Sequence, residues 1–285
     1  MTAESHPRIG FMQGRLSEPV DGKIQCFPWR DWRSEFSLAS THRWRLMEWT
    51  LDDERVFENP LMTREGRKEI VALQEEHEVE IPSLTGDFFM QVPFFKAERT
   101  ARVQLLDTLD RVLESCAALG VHHIVLPLVD NGGLTTPKER EILMTHMDDR
   151  VEALRSTGMK ILFESDFPPE HLAQLINGLD QAAFGVNYDI GNSAGCGFDF
   201  VEEFERYGPR IDNVHVKDRL KGKSTVPLGT GDADLAGCIK ALAAANYTGN
   251  YILQTARAAD GADVEVLNHY RNMVRAVLVE TEACT

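Results

Sequence analysis

Two hydrophobic periods alternate along this chain. Short apolar runs, each too brief for a helix, read as strands buried on both faces. They fall at residues 8–12 (RIGFM), 46–50 (LMEWT), 79–84 (VEIPSL), 123–128 (HIVLPL), 160–163 (KILF), 184–188 (FGVNY), 211–216 (IDNVHV) and 250–253 (NYIL). Between and after them lie longer stretches with helical spacing: from about 31, 64–77, 99–119, 137–156, 168 to about 179, 199–207, 234–245 and 264–279. In the stretch 99–119, Leu105, Leu109, Val112 and Leu113 share one helical face. Gly120 and Gly158 stand where helices end, and Pro168 stands in a first turn, where its missing N–H costs nothing. Strict alternation of strand and helix predicts a parallel sheet. Eight such pairs predict closure into a single-domain (β/α)8 TIM barrel occupying residues 1–285. An open doubly wound sheet fits less well, because no Gly-rich fingerprint follows the first strand and no composition shift marks a second domain.

Composition narrows the function. With 43% hydrophobic and 26% charged residues the chain has an ordinary globular balance and no disordered signature. A net charge of −15 opposes nucleic-acid or anionic-membrane binding, which need clustered Lys and Arg; it leaves open an anionic small substrate held by a local cationic pocket. The five cysteines (Cys26, Cys116, Cys196, Cys238, Cys284) are scattered without a CxxC pair, which argues against a disulfide framework or structural zinc site. The N-terminal MTAESHPRIGF has no apolar h-region, and no run reaches transmembrane length. These features predict a soluble cytoplasmic protein.

A barrel builds its active site at the strand C-termini, and there the chain places residues that make little sense as core. The fifth strand ends in Glu164 (ILFESD), the sixth in Asp189 (NYDIGN), the seventh in His215 (NVHVKD) and the eighth in Gln254 (YILQTAR). The first two strands contribute Gln13, Arg15 and Glu48, and the third is followed by Asp87. Taken singly each has a plain explanation: a strand-end His packs and hydrogen-bonds, and Asp189 can cap the turn into Gly191-Asn192. Their coincidence on four successive strands favours a divalent-cation site of two carboxylates, an imidazole and an amide oxygen. Such a set suits Mn²⁺, Mg²⁺, Co²⁺ or Zn²⁺.

The order Glu…Asp…His on these strands, with YDIGN, HVKD and PLGTGDAD, resembles the xylose isomerase-like barrels, in particular the sugar-phosphate isomerase/epimerase branch that includes the L-ribulose-5-phosphate 3-epimerase type. The resemblance is strongest from Glu164 to Arg257 and weaker before it. It implies one divalent metal ion, Mn²⁺ foremost, bound by Glu164, Asp189, His215 and the residue at 254, with Glu164 also carrying a proton. In that family a second Glu on the last strand faces the first across the substrate. Gln254 stands there instead; its oxygen can still coordinate, but it has no protonatable group near neutrality. That moves weight from two-base epimerisation towards one-base isomerisation, or towards a proton donor recruited elsewhere.

Glu48, Asp87, Lys217 and Asp166 are the nearby titratable candidates for that donor; Lys217 is counted with Glu164 as catalytic, while Arg15, Glu48, Asp87 and Arg257 are expected to bind substrate. The run RLKGKS after the seventh strand lies where barrels often hold phosphate, though such a run also reads as a solvated loop. The first βα loop (with Gln25, Phe27 and Trp29) and the loop GDFFMQVPFF read as lids or as surfaces for a homo-oligomer, a dimer or tetramer. The expected activity is therefore a metal-dependent isomerase or epimerase of a sugar or sugar phosphate, acting through an enediolate. Its competitors are a keto-polyol dehydratase or lyase and a non-catalytic sugar-binding barrel. An abasic-site endonuclease is disfavoured by the acidic charge and the lack of extra histidines.

Overall fold

A computed structural model describes residues 8–283; residues 1–7 and 284–285, with Cys284 and most of the N-terminal segment read above, lie outside the described residues. The strands are β1 (Ile9–Met12), β2 (Met47–Thr50), β3 (Ser83–Thr85), β4 (His123–Leu128), β5 (Lys160–Ser165), β6 (Phe184–Asp189), β7 (Ile211–Val216), β8 (Asp218–Arg219), β9 (Thr225–Val226) and β10 (Asn250–Leu253). Eight of them close a barrel in the order β1-β10-β7-β6-β5-β4-β3-β2, and every barrel pairing is parallel. The short antiparallel pair β8–β9 follows β7 outside the barrel. The surrounding helices bury their apolar faces on the barrel, which gives the single-domain architecture expected of alternating βα units.

The departures from the sequence reading have local causes. The third run starts late as a strand, because Pro82 has no N–H for the ladder and leaves only an isolated bridge between Leu46 and Glu80 before Ser83. The stretch 137–156 is two helices, Pro137–Asp148 and Val151–Thr157. The Arg150 guanidinium takes the His146 carbonyl at 2.8 Å, and the Arg150 N–H turns to Met147 O instead. Two further short helices, Asp87–Gln91 and Ile190–Cys196, follow β3 and β6 directly. The second is IGNSAGC, whose glycines and small polar residues carry no helical period; Asp189 starts it by accepting from Asn192 N at 2.7 Å.

Most aromatic side chains of the two loops are buried, although Trp29 is only half-buried and most of residues 18–24 are exposed. Phe27 is fully buried, packing edge-on against Trp29 at 4.8 Å and against Trp49 at 5.4 Å. Phe88, Phe89, Phe94 and Phe95 are also buried, so they are not free to stack on a sugar or a neighbouring subunit. Among the described residues no helix is long and apolar enough to cross a membrane.

The first βα loop is shaped from below by one carboxylate. Glu35, on the helix Trp32–Thr41, is fully buried; its Oε2 accepts from Gly14 N at 2.8 Å, and its Oε1 accepts from Leu16 N and Ser17 Oγ at 3.0 Å each. Gly14 has φ +89°, and a Cβ there would lie 3.0 Å from Cys26 O, so the turn requires glycine. Burial pushes Glu35 up to about 7 against the pull of these donors. The unfolded carboxyl loses its proton at its ordinary value, whereas the folded one keeps it until about pH 7. This contribution to stability is therefore present at acid pH and lost as pH rises through about 7. Glu35→Gln sets an amide NH₂ against a backbone N–H, so its melting temperature should lie below the wild-type value. The gap should narrow as thermal melts move from about pH 5 to about pH 8, because only the wild type loses stability over that range.

Candidate metal and substrate site

Because all eight barrel strands run the same way, their C-termini share one mouth. Asp189 and His215 are register partners across β6 and β7, and Glu164 lies one strand further round on β5. One potential ligand atom from each of Glu164, Asp189 and His215 lies within 4.8 Å of the others, and all three residues are buried. Period-two spacing supplies their supports. Asn187 precedes Asp189 by two residues and donates to Glu164 Oε2 at 2.8 Å. Asn213 precedes His215 by two, and its amide donates to Asn187 Oδ1 at 2.8 Å and to Glu48 Oε2 at 3.2 Å. Asn192, on the short helix after β6, donates to the other Glu164 oxygen at 2.6 Å. These three asparagines were not singled out from the sequence. The signal available was their placement two residues before, or three after, an expected ligand.

The imidazole of His215 is held from behind. Its Nε2 lies 2.7 Å from Glu48 Oε1, both side chains having no solvent exposure. Glu48 Oε2 accepts in addition from Ser83 Oγ at 2.7 Å. Glu48 therefore does not face a substrate, as its strand-end position suggested; it lies beneath the mouth and sets the imidazole's orientation. Nδ1 then points to the carboxylates, 3.1 Å from Glu164 Oε2 and 4.0 Å from Asp189 Oδ2. Neither Nδ1 nor Asp189 Oδ2 has a properly aligned hydrogen bond, although both atoms are buried. An imidazole nitrogen facing two buried carboxylates, whose present contacts are the imidazole itself and the Lys217 ammonium, fits a divalent cation bound by oxygen and imidazole nitrogen.

Charge in the cluster is strongly coupled. Burial alone would lower the His215 pKa, but Glu48 and Glu164 together bring it up to about 10. Burial would raise Glu164, yet the contact with His215, the Lys217 charge and the Asn187 amide bring it down to about 2. Without a metal the imidazole is thus a cation between carboxylates; a bound cation would take over that role and leave it neutral.

The remaining expected site residues are spread round the mouth. Lys217 Nζ lies 2.7 Å from Asp189 Oδ2 and donates to Gln254 Oε1 at 2.9 Å. The amide oxygen of Gln254 is therefore engaged by an ammonium, and its Nε2 donates to Gln25 Oε1 at 2.8 Å. Gln25, from the first loop, reaches on to donate to Asp87 Oδ2, so one hydrogen-bonded chain runs from Asp87 through Gln25, Gln254 and Lys217 to Asp189. Burial and the nearby Asp52 charge push Asp87 up to about 7. Arg15 and Arg257, expected to hold substrate, are engaged by the protein, mostly by backbone carbonyls, and Arg15 Nη2 also donates to Gln25 Oε1 at 3.4 Å. Arg15 donates to Thr255 O at 3.1 Å and Ile24 O at 2.7 Å; Arg257 donates to Ser17 O at 2.6 Å and pairs with Asp263 at 3.1 Å. Both guanidinium groups fasten the first loop, and burial with the Arg257 charge lowers Arg15 to about 9.

The chain belongs to the xylose isomerase-like TIM barrel family, whose sequence profile matches residues 36–272. No curated protein sequence matches it. Among solved structures, it is similar to a xylose isomerase domain protein from Planctomyces limnophilus (TM-score 0.74, 16% identity, covering 99% of this chain and 100% of that one). A D-tagatose 3-epimerase-like protein matches with TM-score 0.69 and 18% identity over 94% of this chain and 98% of that one. A xylose isomerase-like TIM barrel protein from Mycobacterium smegmatis, solved in complex with magnesium, matches with TM-score 0.68 and 14% identity over 98% and 99%. At these identities the structural likeness establishes the fold.

The buried support behind the imidazole leads to a metal-binding prediction. In calorimetric titration with Mn²⁺, His215→Ala should abolish binding, and Glu48→Gln should weaken it by roughly 10- to 100-fold without unfolding the chain. Unchanged affinity in Glu48→Gln would show that the imidazole needs no such partner.

Proposed function

We propose that this protein is a divalent-metal-dependent isomerase or epimerase of a sugar, moving a proton at a carbon beside a carbonyl. The observation that carries this reading is the buried cluster of Glu164, Asp189 and His215, whose ligand atoms converge within 4.8 Å of one another at the barrel mouth. Membership of the family and likeness to an epimerase-like structure support it. Glu164, Asp189 and His215 would hold the ion, with the Gln254 oxygen joining them if Lys217 releases it. When bound, the ion supplies Lewis-acid polarisation of the carbonyl and offsets the developing enediolate charge.

The chain's own groups divide the remaining work. Glu164 is a carboxylate at neutral pH, and its two amide donors hold it rigidly for taking a proton from the substrate carbon and returning it to the neighbouring carbon. The Lys217 ammonium, anchored by Asp189 and Gln254, is the donor beside the reacting oxygens. Asp87, buried and with its pKa pushed up to about 7, is a further carboxyl group able to exchange a proton near neutrality. The same ammonium gives a second reading: protonation of a departing hydroxyl by Lys217 would make the product that of a keto-polyol dehydratase, with water lost.

The test is turnover of candidate sugars in D₂O followed by NMR. Isomerisation or epimerisation conserves mass and exchanges a carbon-bound hydrogen, whereas dehydration releases water and changes the carbon skeleton's oxidation pattern. Chelation should abolish turnover, and added Mn²⁺ should restore it; a demetallated sample with full activity would remove the cation from the reaction. Glu164→Gln should lower kcat by roughly 10²- to 10⁴-fold. Lys217→Met should depress dehydration far more than proton exchange if the second reading holds.

A further inference from the structure

We infer that the substrate is an uncharged keto- or aldo-polyol, and that the site is built against its phosphorylated form. The inference rests on the isomerase reading and specifies its substrate class. It begins with the loop after β7, where a barrel of this kind offers backbone N–H groups to a phosphate. Here those amides already hold an anion, the protein's own Asp218. Gly229 N and Gly231 N both donate to Asp218 Oδ2 at 2.8 Å, and Ala233 N donates to Oδ1 at 3.1 Å. Asp218 is 1% exposed, and a Cβ at Gly231 would come within 2.2 Å of its Oδ1, so carboxylate and loop are closely fitted. A phosphate would have to evict a buried side chain to reach the same donors.

The cationic side chains near the mouth are likewise engaged. Arg15 and Arg257 fasten the first loop through Thr255 O, Ile24 O and Ser17 O, and Arg257 also meets Asp263. Arg219 donates to Lys223 O at 3.0 Å and to Asn192 Oδ1 at 2.8 Å, where it orients an amide that holds Glu164. Lys221 lies over Gly197 and lines a side cavity of about 510 Å³ together with Asp199, Asp232 and Asp234. In the basic run that read as a phosphate loop, Arg219 thus binds protein oxygens and Lys221 faces aspartates, while Lys223 is exposed. Lys217 is paired with Asp189.

Apart from the Lys217 ammonium, held by Asp189 and Gln254, the groups beside the site are amides and carboxyls. Gln25 and Gln254 present amides, each both donor and acceptor, which match hydroxyl groups. Asp87 stands beside them, and Glu164 and Asp189 lie deeper in the mouth. A phosphate monoester carries a charge of about −1.5 to −2 at neutrality. None of the loop amides or guanidinium groups named above is open to receive that charge.

The experiment compares D-ribulose with ribulose 5-phosphate and D-fructose with fructose 6-phosphate on the Mn²⁺-loaded protein, following hydrogen exchange in D₂O and binding by calorimetry. We expect the free sugars to exchange with kcat/KM at least roughly 100-fold above their esters, a difference of about 2.7 kcal/mol. Faster exchange of either ester overturns the substrate class while upholding the isomerase reading. Exchange with neither member of a pair counts against the isomerase reading, and calorimetry then decides the substrate class alone. Binding of the free sugar and not its ester supports the inference; tighter binding of the ester, or binding of neither, overturns it.

Discussion

The buried contact between Glu48 and His215 is the interaction on which the rest of the mouth depends. Both side chains are wholly inside the barrel, so the carboxylate is stable only because His215, Ser83 and Asn213 satisfy its two oxygens. In turn it fixes which imidazole nitrogen looks inward and which looks towards Glu164 and Asp189. An imidazole held this way cannot turn its Nδ1 away from Glu164 and Asp189, and that restraint is what a metal site requires of the residues behind its ligands. Asn213 links the same pair to Asn187 and so to Glu164, which joins β2, β7, β6 and β5 into a single polar unit at the base of the site.

Above that unit the mouth is organised by neutralisation from within. Lys217 offsets Asp189, Asp218 fills the amides of its own loop, and two arginines hold the backbone of the first loop. Glu35 shapes the same loop from below, so the segment that carries Gln25 across to Gln254 and Asp87 is fastened on both sides. The consequence is a rim of amides and carboxyls with little cationic character facing inward. Rigid loops also limit the reorganisation that positioning a small substrate would need.

Glutamine rather than a carboxylate at position 254 has an electrostatic logic in this setting. A carboxylate at that place would add another negative charge beside Asp189 and Glu164 and would draw Lys217 into a closed ion pair. The amide accepts from Lys217 and donates to Gln25 at once, joining the last strand to the first loop without further charge. Lys217 and Asp87 lie within the same hydrogen-bonded chain as Gln254.

The barrel was legible in the sequence because period and punctuation are local: apolar runs, helical spacing and Gly or Pro at the ends name each element, and strict alternation leaves few topologies. Glu164, Asp189 and His215 were legible for the same reason, since a charged residue at the end of an apolar strand violates the local pattern. The roles of Glu48, Arg15, Arg257 and Asp218 were not, because charge and residue type mark a side chain as polar without saying what it meets. Glu48 finds His215 across 167 positions, and Arg15 finds Thr255 across 240, through closure of the ring that brings β1 and β2 beside β10 and β7. The residue types and their strand ends were set by the sequence alone. Which of them face the mouth, and which lie behind it holding others in place, was decided only when the barrel closed and burial forced every polar group to find a partner.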